Sequence, residues 1–428
     1  MSHPVRPIKS CVLAVAFLLV TIVVRADDFA IRNGDTVAFL GDSITAARTY
    51  GKLIENYTLL RFPNRRARFI NVGKGGDTAA GGLARLELDV FGRGATVLIV
   101  AYGVNDIGWG FHADEEHKQR YLNAIGEIVR QCRDRGVRVY ICSAAVTGAD
   151  PDKTENDFLQ TMCDEGMKLA RENGGHSIDV QRTMREIQKR VWKSNESIED
   201  VAKKNSLHAA DGVHLNELGQ TAMAYALLKG LGAPADVSSV SLDAKEKKLL
   251  ASAGCRISDI SGTAERLEFT RLDEGLPLNG ETFFALHFRF VPIHEQFNRY
   301  LLQVKSLPEG NYDLIVDDRK VGTYPSDQLE GGVNVSSTTP DPWIPGGPWD
   351  AQANILHTLT ESRDKLDLSA LLTNAHLPGQ TLAQEFVAEV RKANTQLEEM
   401  QRQIAKPRPY RFVVQKSNPV DEAKPTSK

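Results

Sequence analysis

Thr36-Val37-Ala38-Phe39-Leu40-Gly41-Asp42-Ser43-Ile44-Thr45 is the stretch on which the reading of this 428-residue chain turns. Residues 37–40 are a short apolar run with the length and composition of a buried strand. Gly41 ends the run, and residues 49–60 are compatible with a helix. Ser43 therefore falls at the carboxyl end of a strand, at the turn toward a helix, where open α/β sheets bind their ligands. A serine there presents its hydroxyl at the rim of the sheet. Its backbone N–H points toward the start of the next helix, where negative charge is favoured. Those are the needs of a nucleophile whose attack generates an oxyanion. Gly-Asp-Ser is also a common turn tripeptide, so the stretch takes its meaning from the rest of the chain.

Outward from it, apolar runs alternate with helical periodicity. Residues 67–72 predict a second strand that runs into the glycine-dense turn Asn71-Val72-Gly73-Lys74-Gly75-Gly76-Asp77-Thr78. With no Cβ in the way, such a turn brings backbone N–H groups close to a ligand. It lacks the Gly-Lys-Ser/Thr ending of a phosphate loop. Residues 95–101 are apolar on both faces, as a central parallel strand is, and end at Tyr102-Gly103-Val104-Asn105-Asp106. A helix over 115–135, a strand over 137–142, a helix over 156–172 and a strand over 176–180 come next. This alternation predicts an α/β fold with a five-stranded parallel sheet and helices on both faces. Asp211-Gly212-Val213-His214 precedes a last helix, and the first domain closes near Pro234.

Beyond Pro234 the pattern changes to a smaller β-rich region, with strands expected over 266–272, 283–290, 311–316 and 320–324 and a hairpin at Asp317-Asp318-Arg319. A Pro/Gly-rich segment over 338–348 then leads, past Trp343 and Trp349, to a helix capped by Asp350 and running to about residue 366. A second, charged helix is expected over 382–404, and 416–428 are polar. The expected organisation is a leader over 1–26, the α/β domain over 27–234, the β-rich region over 235–335, and loop, helices and tail over 336–428.

Arg6 and Lys9 precede the apolar run 12–24, and Val24-Arg25-Ala26 has small residues where a signal peptidase reads. That run is shorter than the ~20 residues of a membrane span, so a secretory signal cleaved after Ala26 and a secreted or periplasmic protein are expected. No later stretch could span a bilayer, and a net charge of −3 gives no footprint for nucleic acid. Cys132, Cys142, Cys163 and Cys255 are too few for a disulfide framework, and their pairing stays open. His112 and His117 flank Asp114, Glu115 and Glu116, but a spacing of five is not that of helical metal ligands, so a solvated helix start and no metal are expected. Asn56, Asn195 and Asn334 stand in glycosylation sequons.

Ser43, Gly76, Asn105 and the pair Asp211 and His214 all fall after expected strands or before the final helix, which brings them to one rim of the sheet. The chemistry that needs these types is acyl transfer. Ser43 would attack a carbonyl carbon, His214 take its proton and return it to the leaving alcohol, and Asp211 hold the imidazole. The N–H groups of Ser43 and Gly76 and the amide of Asn105 would hold the oxyanion. In these blocks the chain resembles the SGNH (GDSL-type) hydrolases: Gly41-Asp42-Ser43, Asn71-x-Gly73-x-Gly75-Gly76-Asp77-Thr78, Gly103-x-Asn105-Asp106 and Asp211-x-x-His214 occur in family order. The resemblance covers about residues 35–231. It implies a flavodoxin-like three-layer α/β/α sandwich and a Ser/Gly/Asn/His site that uses no metal or cofactor.

The expected activity is that of a secreted serine esterase acting on short acyl groups, acetyl above all, on carbohydrates or small molecules. Ile44, Thr45, Val104 and Val213 offer small or medium walls and no long apolar groove. Trp343 and Trp349 are candidates to fold back to the rim and stack on sugar rings. The competing expectation is that they staple the C-terminal helix to the core. Two other functions stay open: a lipid or lysophospholipid esterase, against which the helices after Asp350 are charged, and a non-catalytic exported glycan-binding protein. No nucleic-acid partner and no stable membrane insertion are expected.

Overall fold

The computed structural model describes residues 29–280, 284–339 and 346–418. The expected leader and Trp343 lie outside the described residues.

The apolar runs become β1 (Thr36–Gly41), β2 (Arg68–Asn71), β3 (Val97–Ala101), β4 (Arg138–Cys142) and β5 (His176–Ile178), an all-parallel sheet in the order β2-β1-β3-β4-β5. Every residue of β1 and β3 is buried, which is why they read as unbroken apolar runs and not as alternation. Successive side chains leave a strand on opposite faces. Val37 and Phe39 thus join one core with Tyr50, Leu53 and Leu227, while Ala38 and Leu40 join another with Ile125 and Ile128. Gly41 is level with Ala101, and Ala101 with Cys142, so the loops after β1, β3 and β4 leave from one edge.

The flanking helices start where short polar side chains cap them. Asp114, Asp157, Asp179 and Asn216 accept N–H groups of the helices Glu115–Asp134, Phe158–Glu172, Val180–Ser194 and Glu217–Gly230. Such a cap contributes about 1 kcal/mol.

The C-terminal half holds more strand than the sequence pattern suggests: β6 (Asp236–Asp243), β7 (Lys248–Ala253), β8 (Cys255–Thr263), β9 (Arg266–Asp273), β10 (Arg299–Lys305), β11 (Asn311–Val316), β12 (Arg319–Pro325), β13 (Val333–Asn334) and β14 (Tyr410–Lys416). They form two sheets, β13-β10-β6-β7 and β12-β11-β14-β9-β8. The hairpin between β11 and β12 turns on Asp317 and Asp318, both left-handed. Residues 284–289, expected as strand, are instead a 3₁₀ helix in which Phe284 and Phe288 pack edge to face at 5.4 Å.

The helices Pro348–His376 and Thr381–Ile404 pack on each other, and the first also packs on the helix Thr49–Arg61. The first starts two residues before Asp350 with Gly347 at the cap position, so Asp350 is buried in the first turn and is not the cap residue; burial pushes its carboxyl up to about 8. It also runs ten residues past the expected end. At the contact Arg363 pairs with Glu55 at 2.5 Å, Gln401 donates to Glu55 at 3.0 Å, and Arg48 pairs with Asp364 at 2.7 Å. Burial pushes Glu55 up to about 7 even beside Arg363. Asn56 accepts from Thr360 at 2.6 Å in the same layer and is fully buried, which closes that sequon to modification. The four described cysteines are buried free thiols. Among the described residues no helix is long and apolar enough to cross a membrane.

Candidate active site

Ser43 opens the one-turn helix Ser43–Ala46 directly after β1. Asp42 caps that turn by accepting the Ile44 N–H at 2.9 Å, and burial pushes its carboxyl up to about 6. Gln220 holds the turn from the far side, accepting the Tyr50 N–H at 3.2 Å and donating to the Ile44 carbonyl at 3.3 Å. Gln220 lies on the helix that follows His214, so one side chain ties both elements of the site together.

The glycine-dense turn is fastened to the serine turn by two bonds and braced by one of its own. Asn71 donates to the Thr45 carbonyl at 2.8 Å and accepts the Gly73 N–H at 3.0 Å, and the Lys74 N–H reaches the Gly41 carbonyl at 3.0 Å. A Cβ on Gly73 would run into the backbone of Thr45 and Ala46, so this close approach needs glycine. Gly76 is exposed and left-handed at φ +72°. Asn105, after β3, donates its amide to the carbonyl of Asp77, the next residue, at 3.0 Å. Asp77 itself accepts from Tyr102 at 2.8 Å and from Arg85 at 2.9 Å.

The last loop supplies the remaining side chains. His214 Nε2 lies 2.9 Å from Ser43 Oγ, and His214 Nδ1 lies 2.6 Å from Asp211 Oδ2. A carboxylate only accepts, so Nδ1 carries the proton, and Nε2 of the neutral ring accepts from the serine hydroxyl. Asp211 Oδ1 takes the N–H groups of Val213 and His214, both at 2.9 Å. The His214 bond and these two N–H donors hold the Asp211 carboxyl down at about 2, so it is ionised at every ordinary pH. His208 is buried, with Nε2 on the Val146 carbonyl at 2.9 Å, and takes no part in the chain from Ser43 to Asp211.

The structure thus brings Ser43, Asp211 and His214 into one hydrogen-bonded chain and fastens the Gly76 turn to Asn105 and to the serine turn. Such a chain can move a proton from a serine hydroxyl to an imidazole. Trp349 is a correction. It is fully buried, stacked on Phe412 at 5.9 Å and edge-on to Tyr300 at 5.0 Å, with its indole N–H on the Ser336 carbonyl at 3.0 Å. It packs β10 against β14 and has no face to offer a sugar. The exposed aromatics near the site are Trp109, 5.5 Å from the His214 ring, and Phe111 two residues on. Gly108-Trp109-Gly110-Phe111, one residue after Asn105-Asp106, was the available signal, since aromatics between glycines on a strand-end loop have little to pack against.

His112, Asp114 and His117 each bring one ligand atom within 4.8 Å of the others at the surface. His112 lies in the turn before the helix, so helical spacing does not govern the group. Asp114 Oδ1 already caps that helix and meets His117 Nδ1 at 2.8 Å. Clefts of about 1380 and 610 Å³ are lined by none of Ser43, Gly76, Asn105, Asp211 and His214.

The model of the GDSL-like Lipase/Acylhydrolase family matches residues 39–222. No curated protein matches the sequence. Among solved structures, BT4096, a gut microbial diltiazem-metabolizing enzyme, is similar over 91% of this chain and 100% of its own, at 24% identity and a TM-score of 0.75. That likeness of fold runs through both halves of the molecule. The acetylxylan esterase Axe2 from Geobacillus stearothermophilus is similar over 47% of this chain and 96% of its own, at 18% identity and a TM-score of 0.40. The likeness to the GDSL-like lipase/acylhydrolase family thus extends over residues 39–222, and the protein is an ester-bond hydrolase.

Proposed function

We propose that the protein is an exported serine esterase that removes short acyl groups, acetyl above all, from carbohydrate or small-molecule alcohols. The observation that carries the reading is the chain Ser43 Oγ, His214, Asp211, with links of 2.9 and 2.6 Å. Ser43 Oγ attacks the ester carbonyl while its proton passes to His214 Nε2, and the carbonyl π pair moves onto oxygen. The N–H groups of Ser43 and Gly76 and the Asn105 amide receive that oxyanion, where one donor is worth about 3 kcal/mol. Collapse expels the alcohol, which takes the proton from His214. Water then repeats the sequence on the acyl-serine and releases the acid. Asp211, ionised throughout, keeps Nδ1 protonated and balances the imidazolium.

Short acyl groups are favoured because Ile44, next to Ser43 in the chain, is buried, Val213, next to His214, is half-buried, and neither lines the clefts of about 1380 and 610 Å³. Each methylene buried in a groove would add ~0.8 kcal/mol, so a long-chain enzyme gains steadily from acetate to octanoate. Export rests on the leader pattern of residues 1–26, and N-terminal sequencing of secreted material should begin near Asp27. The test of the activity is kcat/KM on p-nitrophenyl acetate, butyrate, octanoate and palmitate, with Ser43→Ala as the control, followed by acetylated glycans. Decline with chain length and a dead control are expected. A climb toward palmitate selects a lipid esterase, and an active Ser43→Ala rejects the serine mechanism.

A further inference from the structure

Trp109 is left-handed, φ 60°, inside the turn Gly108–Gly110, and is nearly half exposed. The turn folds back on Asn105: the Gly108 N–H meets the Asn105 carbonyl at 3.0 Å and the Trp109 N–H meets the Val104 carbonyl at 2.9 Å. Its indole Nε1 donates to Asn105 Oδ1 at 2.9 Å, while Asn105 Nδ2 donates to the Asp77 carbonyl at 3.0 Å. An indole N–H can only donate and a carbonyl can only accept. The two partners therefore admit one orientation of the amide. Turned over, it would set its NH₂ against the indole N–H and its oxygen against the carbonyl of Asp77. In the permitted orientation one Nδ2 hydrogen is used by Asp77 and the second is left for a ligand. The same indole lies edge-on to the His214 ring at 5.5 Å and 69°.

We propose that Trp109 is a positioning residue: it locks the Asn105 amide with its free N–H toward the reacting carbonyl oxygen. This rests on the assignment of Asn105 to the oxyanion site. A left-handed, half-exposed tryptophan between two glycines is poorly explained by packing. It is well explained if the turn is shaped to bring a rigid N–H donor to the amide oxygen.

The experiment compares wild type with Trp109→Phe, Trp109→His, Asn105→Ala and the Trp109→Phe/Asn105→Ala double variant on p-nitrophenyl acetate, with melting temperatures read alongside. Trp109→Phe keeps an aromatic ring beside His214 and loses the donor. Its kcat should fall about 10-fold at a KM within about twofold, a fraction of the 10²–10³ lost with a whole oxyanion donor. Trp109→His, which carries a ring N–H, should recover part of the loss. In the Asn105→Ala background Trp109→Phe should cost nothing further, because its target is gone. An unchanged kcat in Trp109→Phe, a change in KM alone, or an equal loss in both backgrounds overturns the proposal. Wild-type kcat in Asn105→Ala overturns instead the oxyanion assignment beneath it, so the two failures are distinguishable.

Discussion

Replacing Asp211 by Asn is expected to cost more activity than replacing it by Ala, although Asn is the closer in shape. Asp211 Oδ1 accepts two backbone N–H groups at 2.9 Å and Oδ2 accepts His214 Nδ1 at 2.6 Å. An amide has one accepting end and one donating end. The two backbone donors claim the oxygen, since turning the amide round forfeits two hydrogen bonds of about 1 kcal/mol each. A bias of roughly 2 kcal/mol is about 30-fold and keeps the NH₂ against Nδ1. Nδ1 must then accept, the proton moves to Nε2, and Nε2–H cannot take the proton of Ser43. The imidazolium also loses its counter-charge. A fall in kcat of about 10³-fold is expected, ~4 kcal/mol in the barrier. That is the lower end of the range for such a change, because Asp211 and His214 are each more than a third exposed and water tempers the effect. Ala leaves Nδ1 to water, which can accept, so part of the population keeps the productive tautomer and a loss nearer 10²-fold is expected. The assay is kcat on p-nitrophenyl acetate at fixed pH, normalised by titration of folded active sites. Asn equal to or better than Ala would show that Asp211 does not set the tautomer.

Trp349→Ala should destabilise the fold by about 4 kcal/mol, from a fully buried indole and an orphaned Ser336 carbonyl. Urea denaturation measures that loss, and a raised KM on an acetylated glycan at undiminished stability would contradict it. Arg363→Met should cost about 3–5 kcal/mol by leaving Glu55 buried without its cation. Adding Glu55→Gln should restore much of that loss in a thermal melt, and equal stability of wild type and the single variant would refute the account. Burial pushes the Asp106 carboxyl up to about 7, with Oδ1 accepting the Ala79 N–H at 3.0 Å and Oδ2 buried without a partner. Below pH ~4 both states are protonated; between ~4 and ~7 only the unfolded chain releases this proton. Stability from this group therefore falls as pH rises through that window, by up to ~4 kcal/mol, and is level above it. Asp106→Asn should flatten the slope of stability between pH 5 and 7, and parallel slopes would count against the buried carboxyl.

The parallel sheet and the site residues were legible because each left a distinct local mark. Buried strands such as 97–101 must be apolar on both faces, and Ser43, Gly76, Asn105 and His214 each sit in a short block whose backbone geometry restricts the residue types. The second half is less legible for a physical reason. β7 and β8 are mostly exposed, so Lys-Leu-Leu-Ala-Ser-Ala and Cys-Arg-Ile-Ser-Asp-Ile-Ser-Gly-Thr carry no clear apolar alternation. Phe284 and Phe288 satisfy a helical spacing as readily as neighbouring aromatics satisfy a strand. For Trp349, a sugar platform and a packed core residue read the same along the chain, and only its neighbours Tyr300, Tyr410 and Phe412 separate them.

β14 lies between β9 and β11, although some 90 residues separate it from the nearer of them in sequence. A nascent chain therefore makes the strands on either side long before the one that joins them, and holds two unsatisfied edges open while both long helices are synthesised. Pairing so distant along the chain is slow to form, and open edges invite contact with other copies. Termination between Val316 and Tyr410 would leave the earlier half free to assemble its own sheet and site while the later half exposes two sticky borders. Stops in that window are thus expected to yield aggregates carrying a well-formed serine site, and a peptide spanning 410–416 supplied in trans is the natural agent to rescue them.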